Sequence, residues 1–178
     1  LTGREILIGV SGGIAAFKTA ALVSSLRKAG AGVNVIMTPS ATQLVGPKTF
    51  EALTGRPVRS GVFEQGAHPH IEAARSAELF CIAPCTANVL AKAATGLADD
   101  LVSTVILAFD GPILLAPAMN AIMWSKPSVQ RNCKQLEEDG FHFIGPEPGR
   151  LSCGECGDGR MSEPDVILEK IHGLLSNP

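Results

Sequence analysis

The residue of this chain best suited to chemistry is a thiol in a glycine-rich stretch, Cys153-Gly-Glu-Cys156-Gly-Asp-Gly-Arg160-Met161. The stretch follows a Gly-Pro-Glu-Pro-Gly break at 145–149 and reads as a mobile lid carrying a thiol. Upstream, Pro117-Ala-Met-Asn120-Ala-Ile-Met123-Trp124 sets a carboxamide just past an apolar run. There Asn120 can hydrogen-bond a substrate carboxylate or amide, or make an Asx turn or helix cap. His68-Pro69-His70 precedes a helical stretch. Imidazole chemistry suits a base, and the commoner reading of a histidine at such a junction is a surface or capping residue. Ser11-Gly12-Gly13 joins an apolar run to an amphipathic one, as a cofactor loop does. Together these residues point to redox-assisted chemistry on a small substrate.

The first loop narrows the cofactor. Its glycines let the backbone approach a phosphate at a helix N-terminus. The spacing is neither G-x-G-x-x-G nor a P-loop, and a tight turn with no ligand is the alternative. No acidic residue closes the second apolar run, where a dinucleotide ribose needs one. Thr38-Pro39-Ser40 stands there instead, and hydroxyls suit a phosphate. A mononucleotide such as FMN therefore fits better than NAD. After the third run, Pro84-Cys85-Thr86-Ala87-Asn88 offers small residues against which a flat ring can lie, with Thr86 or Asn88 free to cap the next helix. Arg160 reads as a partner for phosphate or carboxylate, or as a solvated charge. Met119, Met123 and Trp124 have the character of core packing.

The elements that position these residues alternate. Strands are predicted at Glu5–Val10, Val33–Met37, Leu79–Ala83, Ile113–Ala116 and Phe141–Ile144. Helices are predicted at Ile14–Ala29, over 40–55, at Ala87–Thr95, Asp100–Ala108, Ser128–Asp139 and Pro164–Leu175. This is the pattern of an α/β, Rossmann- or flavodoxin-like single domain over 1–178, one parallel sheet with helices on both faces. Ligands in such sheets sit at the carboxyl ends of the strands, and the candidate loops all fall there.

Composition excludes other classes. The 178 residues are 46% hydrophobic, enough for a sizeable core. A net charge of −2 leaves no basic footprint for nucleic acid. No apolar run reaches the ~20 residues of a membrane span. Five cysteines form neither a disulfide framework nor a metal set, so no metal is expected. The opening residues read as a strand rather than a signal peptide, and the expectation is a cytoplasmic protein.

The motifs resemble those of the homo-oligomeric flavin-containing cysteine decarboxylases. The resemblance runs from about Arg4 to Pro164. It rests on Gly9-Val-Ser-Gly-Gly-Ile-Ala-Ala16, His70-Ile71, Ala83-Pro-Cys-Thr-Ala-Asn88, Asp99-Asp-Leu-Val-Ser-Thr104, the Pro117–Trp124 run and Ser152–Met161. Phe17 stands where the family often has tyrosine, Cys85-Thr86 alters the usual pairing, and Cys156 is an extra thiol. The resemblance implies FMN as cofactor, with contacts from Ser11, Gly12, Gly13, Thr38, Ser40, Pro84, Cys85, Thr86 and Asn88. It implies His70 as base, Asn120 as the carboxylate ligand with Met123 and Arg160 beside it, and Cys153 as proton donor. The implied reaction converts phosphopantothenoylcysteine to phosphopantetheine in coenzyme A biosynthesis. Oxidising the thiol to a thioaldehyde creates a sink for the electrons left when CO2 departs, and the resulting enethiol is then reduced. The implied assembly is a trimer, or a dodecamer built of trimers, with shared sites. A phosphopantothenate–cysteine synthetase, fused or separate, is the implied companion. A peptidyl-cysteine decarboxylase of lantibiotic maturation and a non-catalytic flavin-binding regulatory subunit are the competing readings.

Overall fold

A computed structural model describes residues 1–62, 68–150, 152 and 154–176. Strands β1 (Glu5–Val10), β2 (Gly32–Met37), β3 (Leu79–Cys85), β4 (Ile113–Pro117) and β5 (His142–Phe143) form a parallel sheet in the order β2-β1-β3-β4-β5. The helices are α1 (Ala16–Lys28), α2 (Pro39–Thr42), α3 (Pro47–Thr54), α4 (Pro69–Arg75), α5 (Ala87–Thr95), α6 (Leu101–Ala108), α7 (Ala121–Trp124), α8 (Pro127–Glu138) and α9 (Pro164–Ser176).

Side-chain alternation on the strands feeds two cores. Ile6, Ile8 and Val10 of β1, with Leu79, Cys81 and Ala83 of β3, face α1, α3 and α9. Leu7 of β1, with Phe80 and Ile82 of β3, faces α5, α6 and α8. Because helices cover both faces, the central strands carry no polar stripe and read as continuous apolar runs. The covering helices carry their apolar residues at helical spacing: Thr19, Leu22, Val23 and Leu26 on α1, and Ile167, Ile171 and Leu175 on α9. Each such Leu or Ile is worth ~1.5–3 kcal/mol when fully buried. The one polar member, Thr19, donates its hydroxyl to the Ala83 carbonyl at 2.7 Å, so its burial leaves nothing unpaired.

Two segments differ from the sequence reading. The single helix expected over 40–55 is two, because Gly46 is extended (ψ 138°) and Pro47, lacking an N–H, starts a new helix at its first position. The glycine-rich stretch read as a mobile lid contains an antiparallel ribbon, β6 (Glu147–Arg150) paired with β7 (Cys156–Arg160). The described domain thus carries a second small sheet beside the parallel one. A Cβ on Gly159 (φ 146°) would collide with the Met119 carbonyl oxygen, so this glycine serves close docking of the ribbon. The Met119 N–H donates to Gly159 O at 3.0 Å in the same contact.

Register sets the loops in one row. Val10 pairs with Met37 and Cys85 with Pro117, so the chain leaves four neighbouring strands at one level. The Thr38 N–H donates to Val10 O at 2.9 Å, and the Ala118 N–H to Cys85 O at 3.1 Å, extending the sheet into the loops.

Candidate active site

A cleft of about 1050 Å³ opens along this row. Ser11, Gly12, Gly13, Thr38, Ser40, Thr86, Asn88, Asn120, Met123 and Arg160, which the sequence names as candidate ligand contacts, all line it. One end is a polar corner. Buried Ser11 donates to Pro84 O at 2.7 Å and accepts the Thr86 N–H at 3.1 Å, locking the first loop to the third. A Cβ on Gly12 would collide with Cβ of Ser40, so the first and second loops touch there. The Gly13 N–H turns back to Ser11 O at 2.8 Å. Among the described residues, the N–H groups of Gly12, Ile14 and Ala15 carry no hydrogen-bond partner. They sit at the positive end of α1, where an anion is favoured. Thr38 accepts the Ala41 N–H at 3.2 Å as cap of α2 and keeps its own proton to donate.

Thr86 resolves an ambiguity of the sequence. Its Oγ1 accepts the Val89 N–H at 3.4 Å, so Thr86 caps α5 and Asn88 is exposed in the cleft. Pro84 and Cys85 end β3 as buried strand residues and are not among the cleft-lining residues. Burial pushes the Cys85 thiol well above the ordinary cysteine range, with Cys133 and Cys81 adding to the effect.

The other end is built on Asn120. As cap of α7 it accepts the Ile122 N–H on Oδ1 at 2.8 Å, which fixes the amide's orientation. Its Nδ2 then points outward and donates to Glu155 Oε2 at 2.9 Å. Met123 follows one turn along α7, 47% exposed. Arg160 enters from β7 but is already paired, with Glu147 at 3.2 Å and Glu163 at 3.7 Å.

Several charged residues of the cleft were not singled out in the sequence. Lys18, one turn past the glycine loop, pairs with Glu163 at 2.7 Å. The Lys18 hydrogen bond holds the Glu163 carboxyl below the usual range against the opposing effect of burial. Lys92 sits between Asp99 at 2.5 Å and Asp100 at 2.6 Å, with its side chain only 12% exposed. Burial pulls the Lys92 ammonium down, but the hydrogen bonds to Asp100 and Asp99 outweigh it and its pKa is raised. Arg150 of β6 also lines the cleft and carries no ion pair among the described residues. Lysines at the helix positions facing a glycine loop were the available signal for Lys18. Lys92 is seven and eight residues from its partners, a spacing that matches no helix pair.

The candidate base is not among the residues lining this cleft. His70 lies in the first turn of α4 with its Nδ1 buried and without a hydrogen-bond partner among the described residues. His68 holds the N-cap position of the same helix without a side-chain capping bond, its ring 6.3 Å from that of His70. Cys153 lies outside the described residues, while Cys156 is an exposed free thiol. No group of three or more metal-ligating side chains occurs among the described residues, and no described helix is long and apolar enough to cross a membrane.

The Flavoprotein family pattern matches residues 1–176. The chain belongs to that family. Among curated relatives, the Coenzyme A biosynthesis bifunctional protein CoaBC of Bacillus subtilis (strain 168) is 46% identical over 172 residues, covering 95% of this chain and 42% of that protein. The chain thus spans less than half the length of such relatives. Among solved structures, a cysteine mutant of a PPC decarboxylase complexed with pantothenoylaminoethenethiol superposes with a TM-score of 0.87 at 31% identity, covering 98% of this chain and 99% of that one. The FMN-dependent cysteine decarboxylase SpaF gives 0.84 at 36% identity, covering 98% and 97%. For a Flavoprotein member the polar corner is apt. Three backbone N–H groups and the hydroxyls of Thr38 and Ser40 suit a nucleotide phosphate, and the cleft is of the size that ligand sites commonly have, roughly 300–1,000 Å³.

Proposed function

We propose that this chain catalyses the FMN-dependent decarboxylation of phosphopantothenoylcysteine to phosphopantetheine, a step of coenzyme A biosynthesis in the cytoplasm. The observation that carries the reading is the pairing, in one cleft, of an anion corner at Gly12 and Ser40 with an amide donor at Asn120. The first suits a flavin phosphate and the second a substrate carboxylate. The likeness to CoaBC and to PPC decarboxylase supports it.

Gly12, Ile14, Ala15, Thr38 and Ser40 hold the cofactor's phosphate, and Asn88 borders its ring. Bound there, FMN supplies the reversible two-electron chemistry that loss of CO2 from an acyl-cysteine requires. Asn120 Nδ2 donates to the substrate carboxylate and fixes its direction of departure. Arg150, the cleft cation without an ion pair among the described residues, meets the substrate phosphate. His70 accepts the thiol proton, and Cys153 returns a proton to the carbon left by CO2. Since His70 is absent from the cleft lining of a single copy, it reaches the site from a second copy. The exposed apolar residues Ile14, Phe17, Leu97, Leu107 and Ile122 provide the surface for such an assembly, a trimer or a dodecamer built of trimers. A fused or separate synthetase makes the substrate.

The test is CO2 release from phosphopantothenoylcysteine by the flavin-loaded protein. Stoichiometric release supports the proposal. A yellow, folded protein that releases none sinks it.

A further inference from the structure

The Asn120 amide is already in contact with a carboxylate, and that carboxylate belongs to the chain itself. Asn120 Oδ1 is spent on the Ile122 N–H at 2.8 Å, so the amide's orientation is set without help from Glu155. The donor end meets Glu155, whose Oε2 lies 2.9 Å from Nδ2. Glu155 sits in the turn that opens β7. β7 is docked on the same corner through the Met119 N–H and Gly159 O, 3.0 Å apart. The backbone that carries Glu155 is therefore registered to Asn120 by contacts that do not involve either side chain. The Asn120–Glu155 bond itself is exposed to solvent. It is charge-assisted, so it is strong enough to be formed, and it is wet enough to be exchanged.

We infer that Glu155 is an internal competitor for the seat of the substrate carboxylate. The inference rests on the assignment of Asn120 as carboxylate ligand made above. Both carboxylates need the same donor, and two anions side by side on one amide repel each other. A substrate therefore enters by displacing Glu155. Once CO2 has left, the product carries no carboxylate, and Glu155 takes the position again. The exchange weakens binding of a carboxylate-bearing ligand while leaving a neutral one untouched.

The test uses flavin-loaded protein and two unreactive probes. Pantothenoyl-alanine keeps the carboxylate and lacks the thiol; N-ethylpantothenamide lacks both. Dissociation constants are read by calorimetry for the wild type, Glu155→Gln, Glu155→Asp and Asn120→Ala. Glutamine offers only a neutral acceptor and aspartate falls short of the amide. Both should tighten pantothenoyl-alanine, Glu155→Gln by about fivefold. N-ethylpantothenamide should bind all Glu155 variants as it binds the wild type. Weaker binding of pantothenoyl-alanine to the variants would make Glu155 a positioning group and overturn the inference. Equal tightening of both probes would reduce Glu155 to a steric block and overturn it as well, and so would tightening by glutamine alone. Unchanged binding of pantothenoyl-alanine to Asn120→Ala would remove the carboxylate assignment underneath. Loss in Asn120→Ala without tightening in the Glu155 variants would remove the competition alone.

Discussion

Ser11 and Thr86, seventy-five residues apart in the chain, are joined by a 3.1 Å hydrogen bond from the Thr86 N–H to the buried Ser11 hydroxyl. The same hydroxyl donates to Pro84 O at 2.7 Å. One small side chain thus ties the cofactor loop to the end of β3. Ser11→Ala leaves a buried carbonyl and an amide without a partner, which costs about 2 kcal/mol. Urea unfolding without flavin should show that loss, and titration with FMN should show weaker binding.

The contact between Gly12 and Ser40 gives a second prediction. Gly12→Ala puts a methyl against Cβ of Ser40, and neither backbone can yield without moving a loop. FMN affinity should fall about tenfold or more. Ser40→Gly in the same chain removes the opposing carbon and should recover part of the loss. A Gly12→Ala protein with unchanged FMN affinity would place the phosphate elsewhere.

Lys92 predicts a pH signature. Lys92→Met leaves Asp100, nearly buried as cap of α6, without its cation, and should cost about 2 kcal/mol near neutrality. The Asp99 carboxyl is held below its ordinary 3.8 first by the Lys92 hydrogen bond. A depressed carboxylate contributes above its unfolded pKa and loses the contribution as pH falls through its folded one. The Lys92 pKa is raised above 10.5, so its contribution is lost only as pH rises through that higher value. The difference between wild type and variant should stay flat from about pH 5 to about pH 9 and close below about pH 4. Denaturant midpoints across that range measure it.

The parallel sheet and its loops were legible because apolar runs and amphipathic stretches alternate without interruption from Glu5 to Ala116. α5 has the bounds the sequence indicates, since Thr86 marks one end and Gly96 the other. The β6–β7 ribbon was not legible. Glycines erase the period-two signal, and the reason for Gly159 lies at Met119, forty residues away. The cleft was legible as a set of loops at one sheet edge, and Ser11, Thr38 and Asn120 meet there. Its charge pairing was not, because Lys18–Glu163 and Lys92–Asp100 depend on how helices are placed rather than on spacing. That His70 is not among the cleft-lining residues was equally hidden, since the seating of α4 against the sheet is set by tertiary packing rather than by local pattern.

His70→Asn should keep the flavin and lose CO2 release about a hundredfold or more, the worth of a positioned base. Absorbance of the purified variant checks the first point, and turnover the second. In a mixture with an Asn120→Ala chain, some activity should return, because each inactive chain supplies the group the other lacks. A mixture no more active than its components would confine both residues to one copy.

The central claim is decarboxylation followed by reduction of the product, and the mass of that product tests it most directly. Wild-type protein loaded with FMN and given phosphopantothenoylcysteine without oxygen should yield saturated phosphopantetheine with one CO2 per turnover. Cys153→Ser should still release CO2 but yield a product two hydrogens lighter, while Cys156→Ser should match the wild type. A wild-type product two hydrogens lighter, or none at all from a fully loaded protein, would contradict the account.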